Sequence, residues 1–409
     1  MPDIIMTSNS PGELSSWVRV TSQALLARQS DLRLHVALVP CPYASGREME
    51  YAGQLPGLTS VLAPRETLRL LLGMSGFRPS RQAIVVFLGG ELWQAGRLAH
   101  LWGVPGLAYS VRPSRQARAF QRVAVPSPEL VAPLVARGVA PQRIVCVGNL
   151  MVDGVSLPES REGARQALGL AMDRPVLGLF PGSRAVHLRA ALPLFLRVAE
   201  KLTSSHPEFQ FLLVLSPFVS LAAAQQALDH PIDLGLERSS GQFGLKSLRT
   251  RAGLEIALTQ GRPHQSMGAL DLALTIPGTN TAELACAGCP MVLVLSTRAP
   301  LPRGGLGGLL DLMPLGAWKE QLRLREYLRF PHGVAQPNLR AGRKLVPEVL
   351  LQDSLEPLIS VLEELARDSE RRAQLSRELR VLMGAPGAGE RLADQILETL
   401  GLPLAKQYA

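Results

Sequence analysis

Short apolar runs and longer helical patterns alternate along the whole chain. In the first part, residues 3–7, 33–39, 83–88, 106–111, 123–125 and 143–147 read as strands. Residues 13–28 read as a helix, with Leu14, Trp17, Val18, Thr21, Leu25 and Arg28 on one face. Ser127-Pro128-Glu129 is a helix start: a hydroxyl cap, a proline in the first turn and a carboxylate at the positive end of the dipole. A second set follows, with strands at 175–180, 209–215, 270–276 and 291–295. Its helix 188–202 buries Leu188, Ala191, Leu192, Phe195, Ala199 and Leu202. The tail is helical at 368–383 and at 389–400, where Leu392, Ala393, Ile396, Leu397 and Leu400 form one stripe. Strands alternating with helices predict a parallel sheet covered on both faces. Two such sets predict an α/β protein of two doubly wound domains facing a cleft, with ligands at the C-terminal ends of the strands. The stretch from Gly148 to Arg174, with Leu157-Pro158-Glu159 and a short helix 161–168, reads as the boundary. The expected domains are 1–155 and 156–385, followed by a closing helix in 386–409.

Composition narrows the function. A chain of 409 residues, 46% hydrophobic, suits two cores rather than one. The net charge of +9 favours acidic partners such as nucleotide diphosphates, phospholipid headgroups or nucleic acid. Aromatic residues are only 5%, which argues against a single-strand binder that stacks bases, so a nucleic-acid role rests on charge alone. The start Met1-Pro2-Asp3-Ile4-Ile5-Met6 has no basic region and no long apolar core, so no signal peptide is expected. No apolar run is long enough for a transmembrane helix. Cys41, Cys146, Cys286 and Cys289 fit a reducing compartment, not a disulfide framework. Cys286 and Cys289 close a helical run before Pro290, which favours packing over redox chemistry. Residues 301–318, rich in glycine and leucine, read as a lid, a membrane-dipping segment or an ordinary loop.

Three polar stretches carry candidate chemistry. Pro181-Gly182-Ser183-Arg184 follows one strand and opens a helix. Glycine lets the backbone approach an anion, and helix N–H groups and the guanidinium neutralise its charge. A departing nucleotide diphosphate needs such fixed donors. The same residues also make an ordinary turn. Gly278-Thr279-Asn280-Thr281-Ala282-Glu283 occupies the next strand–helix junction. Glu283, one turn into that helix, can accept hydrogen bonds from the two vicinal ribose hydroxyls. Helix capping by Thr279 or Asn280 with Glu283 in the first turn is compatible with that role. The run 337–348, Pro-Asn-Leu-Arg-Ala-Gly-Arg-Lys-Leu-Val-Pro-Glu, mixes polar, small and charged residues at spacings that neither a core helix nor a core strand requires.

Together these stretches resemble the lipid-A-disaccharide synthase family of nucleotide-sugar glycosyltransferases. The run 337–348 is similar to the family's Pro-Asn-Leu-Leu-Ala-Gly-Arg-x-Leu-Val-x-Glu pattern, and Gln352 also fits. The resemblance implies the GT-B architecture of two Rossmann-like domains, with the last helix crossing back to the first. It implies that Gly182, Ser183, Arg184, Gly278, Thr279, Asn280, Thr281 and Glu283 hold a UDP-sugar. It also implies Asn338 in the donor pocket, with Arg343 at the diphosphate or bracing the loop. Gly148-Asn149 and Asp153 resemble the family's interdomain Gly-His-Pro-x-x-Asp segment, with Asn149 in place of histidine.

On the acceptor side, Ser8-Asn9-Ser10-Pro11-Gly12-Glu13 stands where the family has Gly-Glu-x-Ser-Gly-Asp, so Gly12 is kept and Glu13 replaces aspartate. Glu91, in Phe87-Leu88-Gly89-Gly90-Glu91, is the nearest carboxylate to a second family aspartate segment. Either Glu13 or Glu91 could be the general base on an acceptor hydroxyl, a poor nucleophile at neutral pH. A helix-starting carboxylate and a solvated glutamate are their plainer readings. The family's aromatic acceptor stretch is replaced by a basic stripe, Arg112, Arg115, Arg118 and Arg122, read as a solvated face or an anionic-lipid surface.

No Asp-x-Asp and no His-x-x-x-His occurs, so neither a metal nor any other cofactor is expected beyond the UDP-sugar co-substrate. The resemblance implies an inverting transfer to a lipid or glycolipid at the cytoplasmic face of the inner membrane, and a possible homodimer. The alternatives are a UDP-sugar 2-epimerase and a non-catalytic nucleotide-sugar or lipid binder.

Overall fold

The structure is a computed structural model of the 409-residue chain, and it describes residues 1–10, 12–40, 47–74, 76–261, 263–299 and 316–402, apart from the side chains of 316–319, 322 and 326. Cys41 and residues 301–315 lie outside the described residues. The chain divides into two compact units, Met1–Gly154 with Gly384–Ala409, and Val155–Met383.

The first unit holds β1 (Asp3–Ser8), β2 (Arg33–Leu38), β3 (Leu58–Leu62), β4 (Ala83–Phe87), β5 (Gly106–Tyr109), β6 (Arg122–Val125) and β7 (Ile144–Cys146). They form one parallel sheet in the order β3-β2-β1-β4-β5-β6-β7. β1 is buried along its whole length, as expected for a parallel strand covered on both faces. The chain leaves β1 toward β2 on one side and returns to β4 on the other. The two strands therefore flank a topological switch point, where an open α/β sheet binds ligands. The helix expected at 13–28 opens as a wide π-helical turn, Glu13–Val18, before the regular helix Arg19–Arg28.

The last helix, Ala388–Leu400, belongs to this first unit. Leu392, Ala393, Ile396 and Leu397 are fully buried in the same core as Ile4, Leu25 and Val86. Polar contacts fix its entry. Asp153 Oδ1 accepts from Gly387 N at 2.8 Å, and its Oδ2 accepts from Gly389 N at 2.6 Å, so the carboxylate caps the helix start. Arg391 Nε donates to Val147 O at 2.7 Å, and Arg28 pairs with Asp394. A Cβ on Gly389 would collide with Val20, so only glycine allows this close approach.

The second unit holds β8 (Val176–Phe180), β9 (Gln210–Leu215), β10 (Gly241–Phe243), β11 (Ser247–Thr250), β12 (Glu255–Gln260), β13 (Leu272–Thr275), β14 (Met291–Ser296) and β15 (Glu348–Leu351). Their order is β10-β11-β12-β9-β8-β13-β14-β15, parallel except for β10 and β11. The switch point here lies between β8 and β13. The long helix Ala185–Ser205 contains Pro193, which cannot donate to the carbonyl of Arg189. Ile232 N takes that carbonyl instead, at 2.9 Å. Cys289 is buried, and burial pushes its thiol up to about 12, which fits the packing role expected for it.

Candidate functional site

Each unit presents polar groups at its own switch point. In the first, Glu13 follows β1 and Gly89-Gly90-Glu91 follows β4. Glu13 Oε2 accepts from Asn9 N at 3.1 Å, Ser10 N at 3.3 Å and Ser8 Oγ at 3.5 Å. The Ser10 hydroxyl also hydrogen-bonds this carboxylate. The carboxylate lies directly on Gly89, where a Cβ would collide with Oε2. Burial pushes the Glu13 carboxyl up to about 7, against the downward pull of the donors from Asn9, Ser10 and Ser8. Gly12 stands at the head of this turn, and its carbonyl accepts from Ser15 Oγ at 3.3 Å and from Ser16 Oγ. Glu91 differs: it is exposed and starts the helix Leu92–Trp102, its N–H donating to Gln94 Oε1 at 3.0 Å. Arg112, Arg115 and Arg118 are exposed, in keeping with a solvated face.

In the second unit, Pro181-Gly182-Ser183-Arg184 links β8 to the helix Ala185–Ser205, and 276–279 links β13 to the helix Asn280–Cys286. Gly182 has φ +96, a conformation suited to glycine, and a Cβ there would stand 2.8 Å from Ile276 Cδ1. That contact joins the two turns. His187, in the first turn of the helix, is driven down to about 4, chiefly by burial and then by the Arg184 guanidinium beside it. It is therefore a neutral imidazole near pH 7. Gly278 and Thr279 are exposed, and Asn280 is half-buried.

Glu283 is recessed, with 10% of its side chain exposed. No described residue donates a hydrogen bond to its carboxylate; His264 Nε2 stands 3.6 Å from Oε1. His264 sits on the short helix Pro263–Met267 after β12. The sequence reading missed both His187 and His264. Each is a lone histidine, and the neighbour of His264, Glu283, lies in another part of the chain.

Two expected ligand contacts are corrected. Thr281 is fully buried, and its hydroxyl donates to Gly278 O at 2.9 Å and accepts from Gln336 N at 3.1 Å. Asn338 is also fully buried. Its Oδ1 accepts from Leu345 N and Val346 N, both at 2.8 Å. Its Nδ2 donates to Val346 O at 2.9 Å and to Glu348 Oε1 at 2.8 Å. The amide's capacity is filled within the protein, so Asn338 does not face the donor. Glu348 completes the clasp by accepting from Val334 N, Ala335 N and Tyr327 Oη. Arg343 pairs with Glu378 at 2.6 Å and braces the loop, one of the two roles expected for it. The run 337–348 is thus all but the first residue of the helix Gln336–Ala341, a clasped turn and the first residue of β15. The bond from Gln336 N, just ahead of the run, to Thr281 sets it against the β13 junction.

Comparisons with known proteins agree on the class. The fold is similar to that of Staphylococcus aureus MnaA in its co-structure with UDP, at TM-score 0.59 and 12% identity over 98% of each chain. It is also similar to Acinetobacter baumannii MurG, at TM-score 0.51 and 14% identity over 97% of this chain and 99% of that one. The architecture is GT-B, as the sequence implied. The lipid-A-disaccharide synthetase family model matches residues 140–299. The lipid-A-disaccharide synthase of Anaeromyxobacter dehalogenans strain 2CP-C is 31% identical over 364 residues, covering 85% of this chain and 82% of that protein. The chain belongs to the lipid-A-disaccharide synthase family, and it is a glycosyltransferase that uses a UDP-sugar. The epimerase alternative is not favoured: the likeness to UDP-N-acetylglucosamine 2-epimerases is one of fold.

Proposed function

We propose that the protein moves a sugar of the N-acetylglucosamine type, acylated as the family default, from a UDP-sugar to a lipid or glycolipid hydroxyl, with inversion and without a metal. The observation that carries the donor site is Glu283: a recessed carboxylate at the β13 junction that no described residue supplies with a hydrogen bond. A buried acceptor left open in this way suits the vicinal hydroxyls of a ribose. Gly182, Ser183, Arg184 and the N–H groups heading the helix Ala185–Ser205 then meet the diphosphate.

In the reaction, the acceptor oxygen attacks the anomeric carbon and the Glu13 carboxylate takes its proton. The bond from that carbon to the diphosphate oxygen breaks, and its electrons leave with UDP. The base is assigned to Glu13 rather than Glu91 because burial raises its carboxyl to about 7, near the pH at which a general base works. Glu91 is solvated at a helix start.

A lipid acceptor would bring the enzyme to a membrane surface, at its cytoplasmic face on the family default. No helix among the described residues is long and apolar enough to cross a membrane. Support for peripheral association comes from the helix Pro64–Leu71 and the turn after it. Leu68, Leu72 and Met74 are 47%, 58% and 73% exposed, flanked by exposed Arg65, Arg69 and Arg78. Apolar side chains fringed by arginines suit an anionic bilayer surface. The test is UDP release from UDP-N-acetylglucosamine-type donors, with and without membrane lipid extract. UDP is expected only when acceptor lipid is supplied, and severalfold faster from vesicles rich in anionic phospholipid than from neutral ones. Turnover of the donor to an epimer without any acceptor would overturn the proposal.

A further inference from the structure

His264 and Glu283 come from different junctions of the second sheet. His264 follows β12 and Glu283 follows β13, and two strands, β9 and β8, lie between those two in the sheet. Yet His264 Nε2 stands 3.6 Å from Glu283 Oε1, with only 15% and 10% of the two side chains exposed. The separation exceeds a hydrogen bond. His264 Nε2 is buried with no hydrogen-bond partner among the described residues. Buried polar atoms without partners are rare, and each calls for an explanation. Nε2 is enclosed, so it cannot itself reach a ligand. The Glu283 carboxylate keeps its open edge.

We propose that His264 is a positioning residue for the donor, resting on the reading of Glu283 as the ribose-binding carboxylate. Its Nε2–H closes onto Oε1 when the nucleotide binds. That bond fixes the rotation of the carboxylate, so that the acceptor sites left open face the two ribose hydroxyls. Without the imidazole, the carboxylate turns freely and loses its selectivity for the diol, whereas the diphosphate contacts at Gly182 and Arg184 are untouched. A carboxylate oriented by a second group holds a diol as a bidentate acceptor, and a site built for a hydroxyl discriminates against the analogue that lacks it.

The experiment is calorimetric titration of the full-length protein with UDP and with 2′-deoxy-UDP, in wild type, His264→Ala, His264→Gln and Glu283→Gln. Wild type is expected to prefer UDP by about tenfold or more. His264→Ala should weaken UDP about tenfold and leave 2′-deoxy-UDP within twofold, so that the preference collapses. Glu283→Gln should show the same collapse, and His264→Gln, which retains an N–H donor, should restore most of the preference. In turnover, His264→Ala raises KM for the donor and leaves kcat within twofold. An undiminished preference in His264→Ala, or equal weakening of both nucleotides as a packing defect would give, overturns the inference. So does a wild type that binds both nucleotides alike. A wild type that binds neither nucleotide overturns the donor-site reading itself, and the inference with it.

Discussion

Glu13→Gln is expected to lower kcat for sugar transfer by about 10²- to 10⁴-fold, the usual contribution of a positioned general base. UDP affinity should stay within twofold, because the donor groups lie in the second unit. The amide keeps the shape of the carboxylate but cannot accept the proton. Asn9 N, Ser10 N and Ser8 Oγ hold Oε2, and these donors fix the carboxylate in place. Burial raises the carboxyl to about 7, and the competent base is the ionised form. kcat/KM should therefore fall as the pH drops through about 7 and reach a plateau above it. His187, held near 4 by burial and by Arg184, stays neutral across that window and adds no limb of its own. Glu13→Gln should flatten the acid limb, whereas Glu91→Gln should leave both rate and profile within a few-fold. Initial rates from pH 5.5 to 8.5 (a range of about three units around the raised value) check both. A large loss with Glu91→Gln and a small one with Glu13→Gln would reverse the assignment.

Truncation after Met383 is expected to unfold the first unit. The lost helix carries Leu392, Ile396, Leu397 and Leu400, all in the core beneath β1 and β4. At about 2 kcal/mol for each buried aliphatic side chain, burial of the four contributes on the order of 8 kcal/mol, an upper value because the unfolded chain is partly compact. A domain's whole stability is about 5–15 kcal/mol, so the loss is of the same size. Asp153 and Arg28 would also lose their partners. The second unit, Val155–Met383, has its own sheet and should keep its protection. Hydrogen exchange of the truncated chain checks this: fast exchange throughout 3–150 with slow exchange retained in 176–215 is the expected pattern. Native protection in β1 and β4 would contradict it.

The parallel strands were legible because a strand covered on both faces is mostly apolar; β4 and β8 are apolar throughout, and β1 and β13 carry apolar runs, Ile4–Met6 and Leu272–Leu274. The turns after β1, β8 and β13 were legible because glycine, hydroxyl and charged residues cluster there. β3 was not, since Leu58–Leu62 is only half-buried and lies at a sheet edge. The β10–β11 hairpin and β12 escaped for a similar reason: their exposed faces break the apolar pattern. Asn338 shows a different limit. Its residue type and setting suggest a ligand contact, and only coordinates reveal that four backbone and side-chain groups already fill its amide. His264 shows the converse. A single histidine in Pro263–Met267 carries no pattern, and its meaning comes from a carboxylate that the fold brings across two strands.

The central claim is that the donor nucleotide lodges at the β8 and β13 junctions of the second sheet. Hydrogen exchange of the full-length protein with and without saturating UDP tests it most directly. The account predicts slowed exchange centred on 181–187, 263–267 and 278–284. Protection absent from those segments, or centred instead on 8–13 and 88–91 of the first unit, would contradict it.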